Sequence, residues 1–295
     1  MIRSLCSRSL AGFLTCALLA ACAGAPLDGP AGPGTRKASL TPASESRRAL
    51  VRLPPPKGRI VAAVYGFRDL TGQYKPLPDS SFSTAVTQGA GSILVKALKD
   101  SGWFVPVERE NLQDLLTERR VIRAADATQA NAAQLAALLP SSVLIEGGIV
   151  AYESNVKTGG AGARYLGIGL SGQYRTDQVT VVLRAVDVRS GRILNSVSTT
   201  KAIYSYQVDL NVFRFVGYKE LLEVEVGYTR NEPAQLCVTD AIEAAVIHLI
   251  VQGVLDKSWA LENPDDADSS LFRAYAEEQK SIIAPEAFAS DKGKR

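Results

Sequence analysis

Apolar positions change period along this chain. From Ile60 to Val150 they come in short runs and helical repeats; from about residue 149 to 229 they alternate with polar ones. Ile60–Phe67 (IVAAVYGF) predicts a buried strand. Phe82–Asp100 predicts a helix, because Val86, Ala90, Ile93, Leu94, Ala97 and Leu98 recur at helical spacing. Gly89 and Gly91 weaken that helix unless another backbone comes close. Trp103–Val107 reads as a short strand that Pro106 confines to an edge or to its first residues. Asn111 with Asp114 forms a capping box opening a short helix, with Leu112, Leu115 and Leu116 inward. Gln129–Leu139 predicts a further helix and Ser142–Val150 a strand. Helices alternating with strands argue for an α/β layer domain over 59–148.

The alternating half follows a different rule. Val179–Val188, the turn Arg189-Ser190-Gly191-Arg192 and Ile193–Val197 predict a hairpin within 178–197. Longer amphipathic segments flank it, at 149–177 and 198–229. In the second, Tyr204, Tyr206, Val208 and Leu210 share a face opposite Gln207 and Asp209. The return segment sets Leu222, Val224 and Val226 against Glu223 and Glu225, with the tip in Phe213–Glu220. In the first, Leu166, Ile168 and Leu170 alternate with small and polar residues, and Glu153, Asn155 and Lys157 lie opposite Val150, Tyr152 and Val156. Strands of roughly ten residues with one apolar and one polar face suit a transmembrane β-barrel, lipid outside and water inside. They equally suit long hairpins packed on a soluble core with one wet face. In the barrel reading the apolar set above faces lipid and the polar set lines the lumen. Two hairpins give four strands, which cannot close a pore alone, and open edges are not tolerated in lipid. A barrel then requires a ring oligomer.

Asn231-Glu232-Pro233 opens a long helix running to about Trp259 within 230–262; Asp240 and Glu243 fall on its polar side, with Ala241, Ala244, Ala245 and Leu249 serving the core. Residues 263–295 are charged, with a helix predicted at Ser269–Lys280. Residues 22–58 are rich in Pro, Gly, Ala and Ser and read as a tether. Before them, Arg3 and Arg8 precede an apolar run that ends in Leu19-Ala20-Ala21-Cys22. This is the layout of a secretory signal peptide over 1–21. Its end resembles a lipobox, which makes Cys22 the lipidated residue, and Ala23 in place of an aspartate resembles an outer-membrane address. After the leader no apolar run is expected to reach the roughly 20 residues of a spanning helix; the nearest is Val246–Val251.

Composition removes several function classes. The formal net charge is +3 and the basic residues do not cluster, which does not suggest nucleic acid. Of the four cysteines, only Cys237 remains once the leader and the acylated Cys22 are set aside, so a small buried apolar residue is expected there. His248 is the single histidine and reads as a packing residue. Gly167–Gly172 matches GxGxxG, but the glycines lie within an alternating strand and another strand follows, so no dinucleotide site is expected. No carboxylate pair suggests general acid–base work, and no catalytic residue, metal site or cofactor is expected beyond the lipid.

Several uncommon strings occur in one order: Gly72-Gln73-Tyr74-Lys75-Pro76, Ser81–Val86, Leu98–Ser101 with Trp103-Phe104, Glu118-Arg119-Arg120 with Ile122–Ala125, Tyr152–Lys157, Gly162–Tyr165, Val212–Phe215, and Gly227-Tyr228-Thr229 with Asn231-Glu232-Pro233. Together they resemble the curli secretion channel (CsgG) family, the outer-membrane lipoprotein component of curli production assembly and transport. The resemblance implies a homo-nonamer in which each copy has a periplasmic α/β domain and gives two hairpins, four strands, to one outer-membrane barrel. It implies a lipid anchor on the periplasmic side. The cargo would be unfolded curli-like amyloid subunits that diffuse through, and the partners a periplasmic capping protein and a surface-associated accessory protein. It also implies a constriction after the GQxKP string, built in the family from a tyrosine, an asparagine and a phenylalanine. By position these fall on Leu77, Ser81 and Phe82, so only the phenylalanine is kept. Leu77 lacks the phenol and the flat ring, and Ser81 is shorter than asparagine, which predicts a wider or differently selective pore. The alternatives are an envelope lipoprotein acting as a binding or assembly scaffold without a pore, and, with little support, a periplasmic hydrolase.

Overall fold

The computed structural model describes residues 40–75, 83–126, 135–158, 173–209, 212–216 and 232–283. Residues 43–223 and 228–295 form one compact unit, to which everything below belongs. Cys22, Leu77, Ser81, Phe82, Leu166, Ile168, Leu170, Leu210, Leu222, Glu223, Val224, Glu225 and Val226 lie outside the described residues.

One mixed sheet organises the unit. Its strands are β1 (Ile60–Ala63), β2 (Phe67–Asp69), β3 (Phe104–Val107), β4 (Val143–Thr158), β5 (Gln173–Asp187), β6 (Ile193–Asp209) and β7 (Val212–Val216). They run in the order β3-β1-β4-β5-β6-β7, with β2 paired to β4. β1 is parallel to β3 and β4, and β2 is parallel to β4; β4 through β7 are antiparallel. Pro106 sits in edge strand β3, where its missing N–H costs no ladder bond.

Around the sheet lie α1 (Glu45–Leu50), α2 (Ala90–Asp100), α3 (Leu112–Asp126), α4 (Glu232–Leu255), a 3-10 turn (Pro264–Asp268) and α5 (Ser270–Ile283). Helix α4 is the core of the unit. Cys237, Val238, Ala241, Ile242, Ala245, Val246, Ile247, Leu249, Ile250 and Val251 are all buried, and they fill more than one side of the helix. A helix apolar all round is an interior helix. It packs on β5 and β6 across one side and on α1, α2 and α5 across others. Ala234–Leu255 is long and apolar enough to cross a membrane by length and composition, contrary to the sequence expectation, but most of it is buried inside the unit.

Several elements differ from their sequence expectation. Ile60–Phe67 divides into β1 and β2 at Val64-Tyr65-Gly66, so the chain pairs first with the start of β4 and then with its middle. The helix expected from Phe82 starts at Ala90. Before it, Ser83–Ala85 pair back on Gln73–Lys75, with the Lys75 N–H donating to the Ser83 carbonyl at 2.8 Å and the Ala85 N–H to the Gln73 carbonyl at 2.8 Å. A Cβ on Gly91 would meet the Glu110 carboxylate at 3.3 Å, so that side chain would have to give slightly, and would rest in ordinary contact with the Phe67 carbonyl at 3.6 Å. Residues 135–139 are not helical. Helix α3 is longer than expected and exposes Leu116, Val121 and Ile122 rather than turning Leu116 inward. The supposed tether ends in a packed element: Ser44 caps α1, accepting the Arg47 N–H at 2.8 Å, and Leu50 and Leu53 are buried. Asp240 and Glu243, expected on a polar side, are buried as well. Helix α1 packs against α4 here, and Ser44 and Ser46 bond to Glu243 and Asp240.

Candidate membrane-spanning sheet

Residues 143–209 run from the domain sheet into the segments expected to form the flanking hairpins. β4, β5 and β6 have 16, 15 and 17 residues, far beyond the usual five or six, and each runs without interruption through the expected boundaries. At about 3.3 Å per residue, β6 alone runs about 55 Å. The turn joining β5 to β6 is tight: the Asp187 N–H donates to the Arg192 carbonyl at 2.9 Å and the Gly191 N–H to the Asp187 carbonyl at 2.8 Å. The Asp187 carboxylate also accepts the Arg189 N–H at 2.7 Å, and this bond holds its pKa below the ordinary carboxylate value.

The lower part of the long sheet is anchored. Val179, Val181, Leu183 and Ala185 of β5 are fully buried on one face, against α4. Two buried side chains of β6 grip the same helix: the Thr199 hydroxyl donates to the Ala241 carbonyl at 2.8 Å, and the Asn195 amide to that of Leu249 at 3.4 Å. The opposite face carries polar pairs. Arg184 and Glu146 form an ion pair at 2.8 Å across β5 and β4, and the Thr180 and Thr200 hydroxyls lie 3.0 Å apart across β5 and β6.

The anchored region ends at one row, Ser154–Asp177–Ile203. Asp177 is fully buried there, and its Oδ1 accepts the hydroxyl of buried Tyr152 at 2.8 Å. Cys237, near the start of α4, donates its thiol to the Asp177 carbonyl at 3.3 Å. Burial, then the Asp177 charge, pushes that thiol up to about 12, so it is a protonated packing group, as expected from composition. Sequence reasoning missed this cluster. Its signal is parity: Asp177 is in phase with Val179, Val181 and Leu183, a carboxylate on the buried stripe.

Beyond the row, the register sets which residues of neighbouring strands share a face. β4 carries a bulge between Ile149 and Ala151, opposite Val181 and Thr180. One extra residue inverts the side-chain phase of the strand relative to its partners. Asn155, Thr176 and Tyr204 consequently form one cross-strand row, and Glu153, Gln178 and Ala202 form the next. Asn155 therefore shares a face with Tyr204, although alternation assigns the first to the lumen and the second to lipid. Glu153 and Asn155 are exposed and Tyr204 is half-buried. The backbone pairing continues outward through Lys157↔Tyr174↔Tyr206 and Gln207↔Phe213. The second hairpin also turns earlier than expected: the chain reverses between Asp209 and Val212, and Val212–Val216 already pairs with β6.

The segment carrying the expected constriction is closed at its base. Tyr74 and Thr84 form an antiparallel bridge, reinforced by the two backbone bonds between Gln73–Lys75 and Ser83–Ala85. Among the described residues no group of three or more His, Cys, Asp or Glu is placed to hold a metal ion.

The family described as "Curli production assembly/transport component CsgG" matches residues 43–279. The proteins of that name from Escherichia coli K12 and Salmonella typhimurium are each 49% identical, over 262 and 245 residues, covering 88% and 82% of this chain and 93% and 88% of theirs. The Citrobacter koseri protein is 50% identical over 243 residues, covering 81% of this chain and 88% of its own. Solved structures align loosely. The PelC dodecamer from Paraburkholderia phytofirmans covers 50% of this chain and 76% of that one at 17% identity and a TM-score of 0.23. Protein XCC0632 from Xanthomonas campestris covers 79% and 96% at 12% identity and a TM-score of 0.29. With near-half identity along nearly the whole length of its curated relatives, the chain belongs to the CsgG family of curli production assembly/transport components.

Proposed function

We propose that this protein acts in curli secretion at the cell envelope, as the subunit of an outer-membrane export channel. The observation that carries the reading is the continuity of β4, β5 and β6 past the last row anchored on α4, in a chain of this family. Among the described residues the sheet ends at β7, and an open edge cannot stand in lipid, so copies of the chain join edge to edge in a closed barrel, a homo-nonamer by analogy with the resemblance. Cys22 carries the lipid anchor. Leu77, Ser81 and Phe82 narrow the pore. Tyr204, Tyr206, Leu222, Val224 and Val226 face lipid, and Gln207, Glu223 and Glu225 line the lumen, where the ring repeats each carboxylate as a belt of charge; the register shift between Gln207 and Asp209 takes Asp209 off the face of Gln207. The cargo is an unfolded curli-type subunit passing by diffusion, with a capping protein below and an accessory protein at the surface.

Single-channel conductance of the full-length lipoprotein, extracted from outer membranes in mild detergent and weighed in parallel, tests this. Large steady conductance from a ring-sized oligomer supports the channel, and Leu77→Tyr then lowers the conductance. A non-conducting, small protein refutes the channel and leaves the envelope scaffold as the reading.

A further inference from the structure

The junction of α1, α4 and β6 concentrates charge that the sheet itself does not use. Asp240 and Glu243 lie one turn apart on α4, 7% and 6% exposed. The Ser44 hydroxyl donates to the Glu243 carboxylate, and the Ser46 N–H donates to Asp240 Oδ1 at 3.3 Å. Lys201 of β6 forms an ion pair with Asp240, and Arg47 of α1 forms one with Asp100 of α2 at 2.9 Å, where Lys96 also reaches. Tyr275 of α5 also faces this junction, where the charges of Glu278, Glu45 and Asp240 act on it. The two cations nearest the pair already have carboxylate partners, Lys201 in Asp240 and Arg47 in Asp100.

The two acids consequently behave differently. Burial opposes the charge on Asp240, but the hydrogen bond and charge of Lys201, with Ser46, outweigh it and hold its pKa below the usual range. Burial raises the pKa of Glu243, and although the Ser44 hydroxyl opposes this, the Asp240 charge adds to it and the net shift is upward.

We propose that Ser44–Leu50 is a clamp over Glu243, tightened when Glu243 takes up a proton, which fixes the segment following the N-terminal region to the middle of β6 through Asp240 and Lys201. Helix α1 supplies the cover that desolvates Glu243, so the closed form holds the proton more tightly than the open one. Below the ordinary glutamate pKa of about 4.3 both forms are protonated and closure is complete. As pH rises through the closed-form pKa the proton leaves, and the opening constant grows by up to about tenfold per pH unit. Asp240 works in the opposite direction, at lower pH, because its pKa is lowered.

Hydrogen–deuterium exchange on the full-length protein in detergent, read on peptides covering 44–53 and corrected for the intrinsic pH dependence, tests the clamp without requiring a pore. The parent's α1 opening constant rises with pH above about 4.3, while β5 and α4 peptides stay level. Glu243→Gln keeps an acceptor for Ser44 but cannot titrate, and gives low opening that is flat with pH. Ser44→Ala raises opening about tenfold at low pH, the loss of about one hydrogen bond and cap. A flat parental profile, a Glu243→Gln profile that follows the parent's slope, or a Ser44→Ala protein as closed as the parent would each overturn the proposal. If Glu243→Gln does not fold, the parental profile alone decides.

Discussion

Gly253→Ala isolates one close approach at the end of α4. A Cβ on Gly253 would lie 1.9 Å from Cε2, 2.0 Å from Cζ2 and 2.4 Å from Nε1 of Trp259, against the roughly 3.5–4.0 Å at which carbon atoms rest. The indole is not free to move aside. Its Nε1–H donates to the Ile250 carbonyl at 2.8 Å, and its ring meets Phe104 edge-on at 6.1 Å and 86°. The backbone behind it is pinned too. The N–H groups of Ser258 and Trp259 both donate to the Gly253 carbonyl, at 2.8 and 3.2 Å, across a turn that places Lys257 at a φ of 58°. Displacing the ring costs about 1–3 kcal/mol in strain and about 1 kcal/mol for the indole hydrogen bond. The better helix propensity of alanine returns about 1 kcal/mol. The expected net loss is about 1–3 kcal/mol, read as the urea midpoint of far-UV circular dichroism on the full chain in detergent. The decisive comparison is Trp259→Ala. Without the ring, the three closest contacts of the added methyl are gone, and Gly253→Ala becomes neutral or stabilising. Equal losses in both backgrounds would refute the argument, because the cost would then not come from the indole.

Gly147→Ala places a Cβ 2.0 Å from the Val182 carbonyl oxygen, a backbone atom inside the β4–β5 ladder. A loss above about 3 kcal/mol, or failure to accumulate folded protein, is expected, and a midpoint near the parent's would contradict the register. Cys237, with its thiol pushed up to about 12, stays unlabelled by maleimide in the folded protein at pH 8 and reacts on unfolding; rapid native labelling would contradict its burial. His248 lies between Gln279, whose amide donates to its backbone carbonyl at 2.9 Å, and the ring of Tyr275 at 5.1 Å. Burial lowers its pKa and Glu278 only partly opposes this, so the unfolded chain binds the proton more readily. The resulting stability is present above the ordinary histidine pKa of about 6.5 and declines as pH falls below it. His248→Gln removes that decline from the unfolding midpoint measured against pH; an unchanged slope would place its origin elsewhere.

The readings that held rest on local chemistry. Alternation marked the β5–β6 hairpin and its Arg189–Arg192 turn; Pro106 marked an edge; the lone Cys237 marked a packing site. Those that failed concern partners distant in sequence. Ser44–Leu50 looked like more of a proline- and alanine-rich linker, because what orders it is 194 to 199 residues away in Asp240 and Glu243. For the same reason the two acids looked solvent-facing: a 3.6-residue period shows which positions share a stripe, but not how many neighbours surround the helix. The helix expected from Phe82 loses its first turns to a pairing with Gln73–Lys75 across the expected constriction segment.

By itself, then, the sequence determined period, polarity and punctuation: an α/β unit, long alternating strands, and the strings that identify the family. Tertiary structure decided phase. The bulge at Val150 is invisible in an alternating pattern, yet one inserted residue turns every following side chain of β4 over and puts Asn155 on the face of Tyr204. A strand's alternation fixes its faces only relative to each other; which face meets which across the sheet is set by hydrogen-bond register, and register forms only when the strands pair.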